Sequence, residues 1–255
     1  MRYCLHLSYL GAHFHGWQWQ PNVRTVQQVI EDNLAHIQKT KIGLVGCGRT
    51  DAGVHASDYY CHFNLEEPLV ERLVFKLNHA LPRTIAIHSL RPVAANWHAR
   101  FSATARAYVY RAHARKDPFK EFTSTLLPYE WEELDLASMQ AATQLFTQYE
   151  DFRAFCKVPD KHNHTRCRLD RAELTINAAD QSLRLDIRSN RFLQGMIRLI
   201  MSHLLNVGLG KLSVADIAHC LRTGERSSFF KMAPPQGLTL CQIEYPPIPY
   251  LSEEE

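Results

Sequence analysis

The sequence predicts an α+β fold made of two similar halves, each with the ferredoxin-like order βαββαβ. Short runs in which apolar and polar residues alternate predict half-buried strands. Segments with helical spacing of apolar residues lie between these runs, and the order repeats in the second half with longer insertions. We expect the two halves to form a continuous antiparallel sheet with a central cleft.

The first half, residues 1–100, begins with a strand in which Tyr3, Leu5, Leu7 and Tyr9 alternate with polar residues. Thr25 opens the first helix in a predicted capping box with Gln28. Apolar residues that share one face of this helix are Val26, Val29, Ile30, Leu34 and Ile37. The other predicted elements are a strand at 42–45, a strand around 59–65, a helix opened by Pro68 with Leu69, Leu73, Val74 and Leu77 inward, and a strand at 85–90.

The second half, residues 101–250, repeats this order with longer connections. Its predicted strands are residues 105–114, 169–177, 183–189 and 238–244, and its predicted helices are residues 136–147, 192–207 and 214–221. Gly224 is placed to end the last helix, because glycine adopts the left-handed conformation that helix ends favour. Residues 251–255 are expected to form an acidic tail, in which Glu253 to Glu255 are disordered.

Composition excludes several classes of protein. The 255 residues are 45% hydrophobic, which suits a folded core, and no apolar run is long enough to span a membrane. The seven cysteines are odd in number and include no Cys-x-x-Cys pair, which argues against a disulfide framework and a zinc ribbon. The pairs His13-x-His15 and His162-x-His164 lack further ligands. We therefore expect a cytoplasmic protein without a metal.

Basic residues cluster in two stretches, although the net charge is only +3. Residues 98–116 contain five Lys or Arg and no acid, and residues 161–171 contain four Lys or Arg and one Asp. Aromatic residues between them suit a phosphate-lined groove with stacking platforms, whereas the alternative is a pair of solvated strand faces. The candidates for nucleic-acid backbone contacts are Arg106, Arg111, Arg166 and Arg168.

The loop from Gly46 to Ala56 is the most informative segment. Three glycines within eight residues permit close backbone approach around Asp51 and Arg49, at the end of a predicted strand. The spacing fits neither a dinucleotide-binding motif nor a P-loop, and no Gly-x-Ser-x-Gly motif occurs. On residue chemistry alone, a turn braced by an Asp–Arg pair is the favoured interpretation.

Five blocks of sequence carry a resemblance to a known family. They are Gly48-Arg49-Thr50-Asp51-Ala52-Gly53-Val54-His55-Ala56; Gly16-Trp17-Gln18-Trp19-Gln20-Pro21-Asn22 with Thr25-Val26-Gln27; residues 98–110; Phe192-Leu193 with Met196-Ile197-Arg198; and Ala233-Pro234-Pro235 with Gly237-Leu238. In order and spacing these blocks resemble the TruA family of tRNA pseudouridine synthases. The resemblance covers nearly the whole chain.

The resemblance implies an enzyme that isomerises uridine to pseudouridine in the anticodon stem-loop of tRNA, at positions 38, 39 and 40. It also implies a homodimer that binds tRNA across both subunits, with no cofactor and no metal, and a catalytic cleft between the halves. By position, Asp51 matches the catalytic carboxylate and Tyr108 matches the tyrosine that stacks on the target base. Arg49 resembles the arginine that helps to extrude the base, and Arg198 resembles the arginine that pairs with the carboxylate.

The sequence departs from the family pattern at four places: Ser57-Asp58, Gln194-Gly195, Leu199 and Thr239. These departures bear on which uridines are modified more than on the reaction. Two other functions stay open: a nucleoside hydrolase that uses Asp51 and Asp58 as a carboxylate pair, and an RNA-binding protein without catalysis.

For each of these side chains, a purely structural role is the alternative to a functional one. Tyr108 would be a core residue, Arg198 would extend along a helix surface, and Arg49 would only pair with Asp51. Packing, rather than stacking on RNA, is favoured for Trp17 and Trp19.

Overall fold

The computed structural model describes residues 1–251, which form two compact units. Unit 1 consists of Met1–Thr104 and the segment that begins at Leu240, and unit 2 consists of Ala105–Thr239. The chain is mixed α+β, and its strand pairs are mostly antiparallel. The predicted acidic tail lies, apart from Leu251, outside the described residues.

Unit 1 holds two helices and most of its sheet in the N-terminal part of the chain. Its elements are β1 (Arg2–Tyr9), α1 (Val26–Gln38), β2 (Val45–Gly46), β3 (His55–Asn64), α2 (Leu73–Ala80), β4 (Ile85–Val93) and the Leu240–Glu244 part of β9 (Leu238–Glu244). The strand order is β4-β1-β3-β9, with the short β2 paired to β3. β1 pairs antiparallel with both β3 and β4. The Tyr3, Leu5, Leu7 and Tyr9 side chains of β1 are all buried, as the alternation predicts.

The two helices of unit 1 begin for different reasons. α1 begins after Thr25, whose hydroxyl accepts a hydrogen bond from the Gln28 backbone N–H at 3.3 Å; this is the Thr25 half of the predicted capping box. The prediction that Pro68 opens the second helix is wrong, because α2 begins at Leu73. Arg72 adopts a left-handed conformation (φ 57°) that separates the preceding segment from the helix.

Unit 2 contains a second antiparallel sheet segment and three helices. Its elements are β5 (Ala105–His113), β6 (Thr125–Leu126), α3 (Leu136–Leu145), β7 (Leu169–Asn177), β8 (Ser182–Ser189), α4 (Met196–Gly208) and α5 (Val214–Thr223), followed by Leu238–Thr239 of β9. The strand order is β5-β8-β7, and β6 pairs parallel with β5. α4 begins four residues later than predicted, after Gly195 in a left-handed conformation (φ 72°). Gly224 ends α5 at φ 75°, which confirms that prediction.

The two faces of the unit 2 sheet differ in chemistry. Leu183, Leu185 and Ile187 of β8 share one face and are buried, and α3 packs against the neighbouring β7 on the core side. Arg184 and Arg188 alternate with them and project to the opposite face, where Arg188 pairs with Asp170. Most of the core of unit 2 therefore lies on the side of its sheet that carries these three residues.

The C-terminal strand joins a different half from the one that was predicted. Residues from Leu240 onward group with unit 1, whereas the sequence placed them with the second half. The backbone N–H of Ile243 donates to the Asp58 carboxylate at 2.8 Å, and the Ser57 hydroxyl donates to the Leu240 carbonyl oxygen at 3.4 Å. No helix in residues 1–251 is long and apolar enough to cross a membrane.

Candidate functional site

The loop that carries Asp51 joins two paired strands of unit 1. β2 ends at Gly46 and β3 begins at His55, and the two strands pair antiparallel through Val45–His62 and Gly46–Cys61. The Cys47 N–H continues this pairing by donating to the Tyr60 carbonyl oxygen at 2.9 Å. The first residues of the loop are therefore fixed by the sheet.

Three buried aromatic side chains, Tyr9, Trp17 and Tyr59, form a support on which the loop rests. The Tyr59 hydroxyl donates to the Gly48 carbonyl oxygen at 2.6 Å, and the Tyr9 and Thr50 hydroxyls hydrogen-bond at 2.9 Å. The rings of Trp17 and Tyr59 lie 4.1 Å apart. Burial raises the pKa of Tyr59 well above its ordinary value, so this hydroxyl stays a neutral donor.

Backbone hydrogen bonds also hold the loop. The Thr50 carbonyl oxygen accepts from the Trp17 N–H at 3.3 Å, and the Gly53 N–H donates to the Phe14 carbonyl oxygen at 3.1 Å. Gly16 has a φ of 83°, and a Cβ atom at this position would overlap the Thr50 carbonyl oxygen. The segment around Gly16 can thus approach the loop only because glycine stands there.

Asp51 lies at the turn of this loop and is half-buried. Its carbonyl oxygen accepts from the Val54 N–H at 3.1 Å, which closes the turn, while neighbouring Thr50 is buried and Arg49 and Ala52 are exposed. A carboxylate on a loop that is held by both side-chain and backbone hydrogen bonds keeps its position when a substrate approaches. Such an arrangement suits a nucleophile, a base or a stabiliser of positive charge.

Asp58 has a structural role that argues against its use with Asp51 as a carboxylate pair. Its Oδ1 atom lies 2.9 Å from His6 Nε2, and its Oδ2 atom accepts from the Ile243 N–H at 2.8 Å. Both oxygens are thereby engaged within unit 1. The departure from the family pattern at Ser57-Asp58 supplies polar groups that attach β9 to β3.

Tyr108, in unit 2, is half-buried on β5. Its ring meets Phe192 edge-on, with centroids 5.2 Å apart and an interplanar angle of 83°. Tyr110, two residues further along the same face, is fully buried and bonds to both Thr125 and the Pro234 carbonyl oxygen at 2.8 Å. Tyr110 is therefore a core residue, whereas Tyr108 keeps an accessible part.

Arg198 is half-buried on the first turn of α4. Its Nε–H donates to the Ala233 carbonyl oxygen at 2.7 Å, and the Ala233 N–H donates to the Arg198 carbonyl oxygen at 3.0 Å. These reciprocal bonds fix the direction of the guanidinium, so it does not simply extend along the helix surface.

The four basic candidates do not form one group. Arg106 shares a face of β5 with Tyr108, but Arg111, five residues further on, projects to the opposite face because strand side chains alternate. A groove along one face of β5 therefore takes only one of these two side chains. Arg166 and Arg168 are exposed in the segment before β7.

The structure also bears on metal binding, on the cysteines and on four aromatic side chains. No group of three or more potential metal ligands occurs in residues 1–251, and all seven cysteines are free thiols. Trp17 is 2% exposed and packs as predicted, but Trp19 is 50% exposed. The supporting roles of Tyr9 and Tyr59 were missed, since strand alternation identifies them as core residues without showing where their hydroxyls point.

The matching family model and the sequence relatives point to one family. The family model described as tRNA pseudouridine synthase matches residues 7–102 and 142–246. Proteins named tRNA pseudouridine synthase A are similar over nearly the full chain. That of Parabacteroides distasonis is 39% identical over 96% of this chain and 96% of its own length.

Two further relatives with the same name come from other bacteria. The protein of Porphyromonas gingivalis is 37% identical over 96% of this chain and 97% of its own length. That of Gloeobacter violaceus is 38% identical over 98% of this chain and 82% of its own length. The chain belongs to the tRNA pseudouridine synthase family and is an isomerase whose substrate is tRNA.

Proposed function

We propose that the chain converts uridine to pseudouridine in the anticodon stem-loop of tRNA, at positions 38, 39 and 40, with Asp51 as the catalytic carboxylate. The observation that carries this proposal is the bracing of the Asp51 loop. The Tyr59 and Tyr9 hydroxyls bond to Gly48 and Thr50, and backbone hydrogen bonds to Trp17 and Phe14 hold Thr50 and Gly53. A fixed carboxylate that is half-buried meets the requirement for preorganisation at a reacting centre.

The reaction conserves every atom of the nucleotide. The bond between C1′ and N1 breaks, the uracil turns, and C5 forms a new bond to C1′; C5 loses a proton and N1 gains one. A carboxylate can add to the base or sugar, stabilise positive charge at C1′, or move the C5 proton. No net oxidant or reductant is consumed, because the product is an isomer of the substrate.

Three other side chains are proposed to act on the same uridine. Tyr108 stacks on the detached base and keeps water from C1′, for which its half-buried ring beside Phe192 is suited. Arg198 pairs with the carboxylate of Asp51 and keeps it ionised. Arg49, exposed next to Asp51, helps to hold the nucleotide outside the stem after it is flipped.

The proposal extends to the location of the protein, its oligomeric state and its contacts with the tRNA backbone. The chain acts in the cytoplasm as a homodimer that binds one tRNA across both subunits. Arg106, Arg166 and Arg168 are proposed to contact the RNA backbone, whereas Arg111, on the face of β5 opposite to Tyr108, is not. We also propose that the two units are duplicated ferredoxin-like halves. In support, β1 pairs antiparallel with β3 and β4, and the short β2 pairs antiparallel with β3, which are the pairings of a ferredoxin-like βαββαβ sheet.

Mapping of pseudouridine tests the proposal directly. An undermodified tRNA pool is incubated with the protein, treated with carbodiimide and read by reverse transcription. We expect protein-dependent stops that report positions 38, 39 and 40. Release of free uracil without such stops would indicate hydrolysis. If neither pseudouridine nor free uracil appears and tRNA still binds normally, the protein binds RNA without catalysis.

A further inference from the structure

An open, basic cleft lies in unit 2, away from the Asp51 loop in sequence. Its volume is about 460 Å³, and its lining includes Arg153, Lys157, Asp160, Gly224 and Arg226. Three cationic side chains thus face one carboxylate. None of the residues given a role in the proposed reaction lines this cleft, so its excess of positive charge needs another explanation.

The cations of the cleft are held in different ways. The Arg226 guanidinium donates to the carbonyl oxygens of Cys156 at 2.9 Å and Lys157 at 3.1 Å, and it lies 4.0 Å from the centre of the Phe230 ring. Arg226 is therefore positioned before any ligand arrives. The Lys157 side chain is exposed, and its ammonium makes no ion pair with another residue of the described chain.

The only carboxylate of the lining is loosely held. Asp160 Oδ1 lies 2.8 Å from Arg153, but the Asp160 side chain is 80% exposed and that of Arg153 is 52% exposed. Exposed ion pairs contribute little, about 0 to 1 kcal/mol. A stronger anion can therefore displace Asp160 from Arg153, and a phosphate that meets two guanidinium groups and one ammonium is such an anion.

The cleft is joined to the start of α4. The Lys157 N–H donates to the Gln194 carbonyl oxygen at 2.9 Å, and a Cβ atom at Gly195 would lie 3.5 Å from Lys157 Cβ. Because α4 begins at Met196, the cleft lies next to the helix turn that carries Arg198. An anion in the cleft would be placed close to the residue proposed to pair with Asp51.

We propose that this cleft, through Lys157, Arg153 and Arg226, binds a backbone phosphate of the anticodon arm near the target uridine. The inference rests on the proposed function, because it assumes that the tRNA is presented to Arg198. A tRNA backbone provides phosphates at regular spacing, and phosphate contacts fix the register of a protein on nucleic acid. The cleft would therefore help to position the arm without taking part in the chemistry.

Filter binding of an anticodon stem-loop RNA over a range of salt concentrations tests the contact. Lys157→Gln should weaken binding about threefold to tenfold and reduce the slope of log K against log salt by about 1. Lys157→Arg keeps the charge and should keep the slope. Lys76→Gln removes the same charge from the exposed side of α2 and serves as the matched control.

Kinetics separate this contact from the chemistry. With Lys157→Gln, the apparent KM should rise while single-turnover pseudouridine formation at saturating enzyme stays at the wild-type rate. An unchanged affinity and slope, equal to those of Lys76→Gln, would overturn the inference. That result leaves the proposed function intact, whereas absence of pseudouridine with the wild-type protein would refute the proposed function whatever the salt slope shows.

Discussion

The Tyr59 hydroxyl donates a 2.6 Å hydrogen bond to the Gly48 carbonyl oxygen, three residues before Asp51. This bond connects the centre of strand β3 to the loop that carries the proposed catalytic residue. We expect Tyr59→Phe to reduce the free energy of unfolding by about 1 to 2 kcal/mol, because the half-buried Gly48 carbonyl loses its donor. The single-turnover rate should fall as well, since the loop gains freedom.

Tyr3→Phe is a matched control for this change. Tyr3 lies on the adjacent β1, and its hydroxyl has no hydrogen-bond partner within residues 1–251. The control should retain stability and rate in denaturant unfolding and single-turnover assays. If Tyr59→Phe behaves like Tyr3→Phe in both assays, the hydroxyl does not support the loop.

Asp51→Asn should abolish pseudouridine formation while folding and tRNA binding persist. Asparagine has nearly the same size, so we expect a stability change within about 1 kcal/mol, but it cannot act as a nucleophile or base. Single-turnover assays with enzyme in excess, a melting curve and a binding titration give the three readouts. Activity above a few per cent of wild type in a folded, tRNA-binding variant would refute the catalytic assignment.

Gly16→Ala should disturb the Asp51 loop more than backbone strain alone explains. Gly16 (φ 83°) and Gly210 (φ 66°) both have positive φ values, but a Cβ atom at Gly16 overlaps the Thr50 carbonyl oxygen whereas Gly210 faces open space. Gly210→Ala should cost about 1 kcal/mol and Gly16→Ala about 2 kcal/mol or more, with loss of activity. Equal costs in urea unfolding would show that the overlap relaxes freely.

Arg106 and Arg111 should differ in their effect on tRNA binding. They project to opposite faces of β5, and only Arg106 shares the face of Tyr108. We expect Arg106→Gln to flatten the dependence of log K on log salt by about 1 and Arg111→Gln to leave it unchanged. If the Arg106→Gln/Arg111→Gln double variant flattens this slope by about 2, phosphates approach both faces of β5.

Acidification should destabilise the protein through His62. This side chain is 3% exposed, and its Nδ1 accepts from the Ala99 N–H at 3.2 Å. Burial, with His98 and Arg2 nearby, lowers the pKa of His62 from 6.5 to about 4. The neutral form is therefore favoured by folding, so this stability is complete above pH 6.5 and is lost as the pH falls towards 4, by up to ~3 kcal/mol.

Urea unfolding at several pH values between 7.5 and 4 measures this loss. His62→Asn keeps an acceptor for the Ala99 N–H but does not titrate, so its stability should depend less on pH than that of the wild type. Parallel pH profiles for the two proteins would assign the acid sensitivity to other groups.

Local patterns predicted most of the elements, because they depend on neighbouring residues. The bounds of β7 and β9 are those that alternation predicts. Conformations that no pattern encodes were missed: Arg72 turns left-handed before α2, and Gly195 does so before α4. Pro68 suits a helix start, but the sequence could not show that the chain delays the helix until Leu73.

The sequence named the residues of the candidate site but not the contacts that hold them in place. The glycines around Asp51 indicate a functional loop, and the family resemblance selects the carboxylate. Asp58 bonds to Ile243, 185 positions away, and a contact at that separation leaves no local signal. The opposite projection of Arg106 and Arg111 follows from strand alternation and was available from the sequence alone.

Unit 1 draws its β9 segment from a part of the chain that the ribosome makes only after the whole of unit 2. Residues 1–104, with the Asp51 loop, are synthesised before Leu240–Glu244, yet Ile243 donates to Asp58 and the Glu244 carbonyl oxygen accepts from the Thr104 N–H at 2.8 Å. A nascent chain therefore carries the loop in a unit that lacks one of its strands. Because domains fold as units during synthesis, the last folding step of unit 1 should follow the translation of unit 2.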